Sequence, residues 1–121
     1  MPTRQEVAAL ERAIADEVLR LHLESYGKGA GRAQARMLDD AVVVFLDEIE
    51  LLPNEEFLIE SGEGSAVVEI RGRYQQAIET TYRAAVERAT GRRVTSFASV
   101  TKLDPSYSVE IFRLAPTTGE S

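Results

Sequence analysis

The sequence predicts a small α+β domain in which two β-hairpins form a four-stranded antiparallel sheet packed with helices. Three observations predict it: long helical apolar patterns at the N-terminus and in the middle, two pairs of strand-like segments, and a length of 121 residues, which suits one core. The expected order is α-β-β-α-α-β-β. We expect a single domain over residues 1–114 and a disordered, small and polar tail over residues 115–121.

The first helix has clear signals at both ends. Thr3 followed by Glu6 is the pattern of a capping box, in which each side chain satisfies a backbone amide of the other residue. Gly27 is expected to end the helix in the left-handed conformation. Between these ends, apolar residues recur at spacings of three and four and predict one buried stripe: Val7, Leu10, Ile14, Val18 and Leu21.

Two hairpins are predicted from alternating or β-branched segments. The first pairs residues 32–38 with residues 41–46 across a tight turn at Asp39 and Asp40. The second pairs residues 93–100 with residues 107–114 around Pro105.

Two further helices are predicted between the hairpins. Pro53 suits the first turn of a short helix, and the acidic residues that follow favour its positive N-terminal end. A glycine-rich turn over residues 61–65 ends this helix, and a long helix runs from about Ser65 to Thr90. The apolar positions of the long helix are expected to form one face: Val67, Ile70, Tyr74, Ile78, Tyr82 and Ala85 or Val86.

The composition argues against several classes of function. The chain has no cysteine and one histidine, which leaves little material for a transition-metal site, a histidine-based triad or a cysteine nucleophile. A net charge of −6 argues against non-specific binding of nucleic acid. We therefore expect a protein that is not an enzyme and has no cofactor or metal. The charged N-terminus and the lack of a long apolar run predict a cytoplasmic protein without direct membrane insertion.

Two glycine-rich turns and one arginine are the candidate binding features. The turn GKGAGR can stop the first helix or can contact an anion or a partner, although a helix precedes it where a phosphate-binding loop needs a strand. Arg71 can form an ion pair with the preceding helix, for example through Glu60, or can present its guanidinium to a partner. We expect the candidates to be exposed, and they are Gly27, Lys28, Gly29, Arg32, Gly62, Gly64 and Arg71.

The first helix carries more apolar surface than a small sheet needs. A homodimer, with or without exchanged segments, would cover this excess and protect the edges of the sheet. We therefore expect a dimer.

Several segments in order resemble one bacterial family. They are the helix end YGKG at Tyr26, the segment LIESGEG from Leu58 to Gly64, the helix end TGRRV at Thr90, and a closing strand with EIF at Glu110. Together they resemble the MpsC family, which is named for a sodium-translocating, membrane-potential-generating system. One departure is Leu52 before Pro53, where the family pattern has threonine, so a capping hydroxyl is missing.

This resemblance implies an accessory or regulatory protein of a membrane ion or inorganic-carbon transport system. It implies binding to the cytosolic face of a transporter subunit, at the periphery of the membrane, and it brings no catalytic residues. Two alternatives stay open. One is a sensor that holds an anionic ligand between the GKG turn and Arg71. The other is an RNA-binding module, which would need a basic face assembled from Arg32, Arg36, Arg92, Arg93 and Arg113.

Overall fold

A computed structural model describes residues 2–116, and it confirms the α+β class and the expected order of elements. The bounds of the elements are α1 (Arg4–Tyr26), β1 (Ala30–Leu38), β2 (Ala41–Ile49), α2 (Pro53–Glu60), α3 (Gly64–Thr90), β3 (Val94–Leu103) and β4 (Ser106–Leu114). The last five residues, part of the predicted tail, lie outside the described residues. Before them, the Ala115 amide donates a hydrogen bond to the carbonyl of Arg93 at 2.8 Å.

The four strands form one antiparallel sheet in the order β1-β2-β4-β3. The two predicted hairpins are present and join through β2 and β4. The first hairpin is longer than predicted, because Ala30 pairs with Ile49 beyond the alternating segment. Backbone pairing therefore continues where the apolar pattern in the sequence has already ended.

The helix ends follow the sequence signals. The Glu6 amide donates to Thr3 Oγ1 at 3.0 Å, and the Thr3 amide donates to Glu6 Oε1 at 2.7 Å, so the capping box is confirmed. Gly27 has a φ of 78°, and its amide donates to the Leu23 carbonyl at 2.8 Å. The interpretation of the GKG turn as a helix stop is therefore confirmed.

The core lies between one face of the sheet and the helices. Helix α1 packs on β1, α3 packs on β3, and the two helices contact each other, while α2 packs on α3. Val42, Val44 and Leu46 of β2 point to the helices and are buried. They meet apolar side chains from both long helices and from the ends of the second hairpin: Ile14, Val18, Leu21, Tyr82, Val86, Val94, Phe112 and Leu114.

The N-terminal half of α3 departs from the predicted apolar face. Val67 and Tyr82 are buried as expected, but Ile70 and Tyr74 are 48% and 47% exposed. Arg71 and Gln75 occupy the buried side of the helix in their place. The prediction that Ile70 and Tyr74 face the core is therefore wrong.

The stripe of α1 is largely covered within one chain. Ile14, Val18 and Leu21 are buried against β1, β2 and α3, and Leu23 is the large apolar side chain of this helix that remains exposed. The excess apolar surface on which the expected dimer depended is therefore small. The dimer itself stays a prediction.

Two glycines provide a matched test of the fold. A Cβ at Gly72, inside α3, would meet nothing within 4 Å, so Gly72→Ala should raise the free energy of unfolding by roughly 0.5–1 kcal/mol. A Cβ at Gly31 would lie 2.9 Å from the Cβ of Glu48, so Gly31→Ala should lower it by about 1–2 kcal/mol. Urea denaturation measures both, and a G31A protein as stable as G72A would contradict the close approach of β1 and β2.

Candidate functional site

A buried ion pair joins the second and third helices. The Arg71 guanidinium donates from Nε to Glu55 Oε2 at 2.6 Å and from a terminal nitrogen to Glu55 Oε1 at 2.8 Å. Their side chains are 2% and 11% exposed. This two-point geometry is the strongest that arginine forms with a carboxylate. Glu55 also accepts from the Leu52 amide at 2.8 Å, which satisfies the start of α2 without a capping hydroxyl.

The first helix contributes aromatic rings to the same cluster. The Arg71 guanidinium lies 4.6 Å from the centre of the Tyr26 ring, and the Tyr26 hydroxyl donates to the Arg71 carbonyl at 3.4 Å. The His22 ring is 4.6 Å from the Tyr26 ring. The cluster of Glu55, Arg71, Tyr26 and His22 therefore connects all three helices. We call it the helix-junction cluster.

Burial and charge fix the protonation states of this cluster. Burial alone would raise the pKa of Glu55, but hydrogen bonds from Arg71 and the Leu52 amide outweigh it and lower the pKa. Burial, assisted by the charge of Arg71, lowers the pKa of His22 to about 4. At neutral pH the cluster therefore holds one carboxylate, one guanidinium and a neutral imidazole.

An apolar groove lies beside the helix-junction cluster. Its volume is about 160 Å³, and it runs between the end of α1, the start of α2 and the exposed side of α3. Ile70 and Tyr74 form its outer wall, and the Glu55–Arg71 pair forms part of its lining. The remaining lining residues are Ser25, Tyr26, Leu52, Asn54, Leu58 and Val67. We call this feature the junction groove.

A second buried polar group lies on the helix-facing side of β4. Glu110 is fully buried, and its Oε2 accepts from Ser99 Oγ at 3.1 Å. Burial raises the pKa of Glu110 to about 7, while Ser108 and Ser99 oppose the shift. Tyr82 is also fully buried, and Glu110 Oε1 and the Tyr82 hydroxyl have no hydrogen-bond partner among the described residues.

The residues proposed from the sequence do not form one site. Lys28 is exposed beside α1, and the Gly29 amide donates to Glu50 Oε1 at 3.2 Å. Arg32 lies on the outer face of the sheet, opposite Asp47 in the register. Gly64 lies near the side chains of Ile59 and Leu103, and Gly62 has a φ of 84° in the turn before α3. That these residues contact a partner stays a prediction.

Arg71 requires a correction. We expected an exposed guanidinium or an ion pair, for example with Glu60; the side chain is buried and pairs with Glu55. The ion pair with the preceding helix is confirmed, whereas the expected exposure of Arg71 and the example partner Glu60 are wrong.

Glu55 and Gln75 were missed as site residues. The sequence signal that could have indicated them is the spacing of Arg71 and Gln75, which are polar residues one helical turn apart and therefore share one face of α3.

The described residues offer no cluster for a metal ion. Across residues 2–116, no group of three or more histidine, aspartate or glutamate side chains could hold one. Glu50 accepts a hydrogen bond from the Gly29 amide, and Glu55 is paired with Arg71. The helices of this part of the chain also include none that is long and apolar enough to cross a membrane.

The fold and the helix-junction cluster define an α+β domain with helices on one face of an antiparallel sheet and a charged pair between those helices. The model of one protein family, described as "Na+-translocating membrane potential-generating system (MpsC)", matches residues 6–116. The chain therefore belongs to the MpsC family, and the resemblance drawn from the sequence is confirmed. No curated protein and no solved structure shows significant similarity to it.

The buried pair should dominate the stability of the helix junction. Arg71→Met leaves the Glu55 carboxylate without its partner and should lower the free energy of unfolding by about 3 kcal/mol. Arg73→Met is the matched control, because the side chain of Arg73 is 78% exposed, and it should change stability by less than about 0.5 kcal/mol. Equal denaturation midpoints for the two variants would show that the Glu55–Arg71 pair does not stabilise the fold.

Glu110 should make stability depend on pH. Its folded pKa of about 7 exceeds its ordinary value of 4.5, so the stability that the neutral carboxyl contributes is fully present below about pH 4.5 and is lost as the pH rises through 7. Glu110→Gln removes this ionisation. The free energy of unfolding of the variant should therefore increase relative to that of the wild type as the pH rises from 5 to 8, by on the order of 2 kcal/mol. Thermal or urea unfolding at these pH values measures the difference. A difference that does not change with pH would contradict the buried, protonated carboxyl.

Proposed function

We propose that the protein is an accessory subunit of a Na+-linked membrane-potential-generating system. In this proposal it resides in the cytoplasm, binds the cytosolic face of a membrane subunit of that system and catalyses no reaction. The family description supports the link to sodium translocation. The binding role is supported by the surface chemistry at the helix junction.

The observation that carries the binding role is the exposure of Ile70 and Tyr74. These two side chains stand one turn apart on α3 and form the wall of the junction groove. Tyrosine and large aliphatic side chains at the rim of a pocket are typical anchors of protein interfaces. Phe57 of α2, 68% exposed, adds a further large apolar side chain to the surface of this helical layer. An apolar helix or loop of a partner can fill such a groove.

The two alternatives have less support. Arg71 is buried and bound to Glu55, so an anion between it and the GKG turn would have to displace a carboxylate. For RNA binding, Arg92 is already engaged by Asp40 and by the carbonyls of Asp39 and Ala115. These contacts favour the accessory subunit over an anion sensor or an RNA-binding module.

Co-purification from native membranes tests the binding role. A tagged wild-type chain should recover a membrane subunit of the transport system, and Ile70→Ala/Tyr74→Ala should reduce recovery at least about tenfold, because interface anchors contribute most of the affinity. Thr81→Ala, exposed on the same helix, is the control and should leave recovery unchanged. Equal recovery with the double variant would contradict a role for the junction groove. Failure of the wild type to recover any such subunit would contradict the proposed function itself.

The expected homodimer is a separate part of the proposal. Sedimentation at micromolar concentration measures it directly. A mass of one chain would overturn the dimer and would leave the binding role unaffected.

A further inference from the structure

In the described part of the chain, residues 2–116, the outer face of the sheet carries no helix. Within residues 2–116, α1 and α3 both pack on the opposite face, where Val44 and Leu46 are buried. On the outer face Phe45 is 36% exposed and Val100 is 52% exposed. The apolar face of a sheet is normally buried against a second layer, so this uncovered face is expected to pack against another element.

The strand register arranges this outer face as rows of side chains. One row crosses the sheet as Gln34, Phe45, Val109 and Val100, and the next as Arg36, Val43, Ile111 and Ala98. The three strands β2, β4 and β3 therefore hold a contiguous block of six apolar side chains. With strands about 4.8 Å apart and same-face neighbours about 7 Å apart, this block is about 10 Å across, which is the width of one α-helix.

A frame of positive charge surrounds the block. Arg32 and Arg36 border it on β1, Lys102 lies at one end and Arg113 at the other, while Asp47 is the one carboxylate of the same rows. None of these four cations takes part in an ion pair within residues 2–116. With four cations and one carboxylate these rows are positive, although the chain as a whole has a net charge of −6.

Charge decides which occupant fits. A second copy placed face to face would bring four cations against four cations with one carboxylate on each side, and such like-charge contacts oppose association. Five of the six side chains of the block are aliphatic and only Phe45 is aromatic, which suits apolar protein side chains better than nucleic-acid bases, because bases bind by stacking on aromatic rings. We propose that the outer face binds an amphipathic helix of a protein partner, with an apolar stripe bordered by aspartate or glutamate. This surface is distinct from the junction groove and does not depend on the proposed function.

A charge-swap experiment tests the proposal. Two labelled helical peptides of about 18 residues share a leucine stripe, bordered by glutamate in one and by lysine in the other. Fluorescence anisotropy with the full chain should show micromolar binding of the glutamate peptide and at least about tenfold weaker binding of the lysine peptide. The preference should shrink as salt rises from about 50 mM to about 300 mM.

Matched variants make the outcome specific to this face. Arg36→Glu/Arg113→Glu should reverse the preference between the two peptides, because both side chains are exposed on the outer face. Arg73→Glu/Arg88→Glu changes the net charge equally on the helical side and should keep the wild-type preference. Equal binding of the two peptides, or an unchanged preference in R36E/R113E, would overturn the proposal. Tighter binding of poly(U) than of the glutamate peptide, or a dimer that Val109→Glu dissociates, would also overturn it.

Discussion

The ion pair between Glu55 and Arg71 is the constraint on which the helical layer depends. Burying a guanidinium is costly unless a carboxylate pairs with it, and here Arg71 donates two hydrogen bonds to Glu55 and packs against the ring of Tyr26. The pair fixes α2 against α3 and places both against the end of α1. Burying Arg71 also determines the rotation of the first turns of α3, because side chains one position away must then point elsewhere.

The surface chemistry follows from that rotation. With Arg71 and Gln75 inside, Ile70 and Tyr74 face outward and form the wall of the junction groove. The sheet has the same inversion on β4, where Glu110 and Ser108 point to the core and Val109 and Ile111 point away from it. In these two short segments polar side chains are inside and apolar ones are outside, although the rest of α3 and β4 buries apolar side chains. The domain therefore has apolar surface on two separate faces, one on each layer.

Much of the fold could be predicted from local signals. The capping box at Thr3, the stop at Gly27 and the two hairpins depend on neighbours in sequence, and the structure contains all of them. The inverted segments could not be predicted, because periodicity assumes that apolar residues face the core. Ile70 and Tyr74 satisfied that rule and are nevertheless exposed. The choice of Glu55 over Glu60 depends on how α2 crosses α3, which spacing along the chain does not contain.

With Arg71 and Gln75 buried, Ile70 and Tyr74 of α3 must face solvent. Solvent paramagnetic relaxation, measured by NMR on the isoleucine and valine methyl groups and tyrosine rings of the wild-type chain, tests this orientation most directly. We expect strong relaxation at Ile70 and Tyr74 and protection at Val67 and Tyr82, which are 1% and 0% exposed. Protection of Ile70 equal to that of Val67 would contradict this orientation of α3, because Ile70 would then face the core.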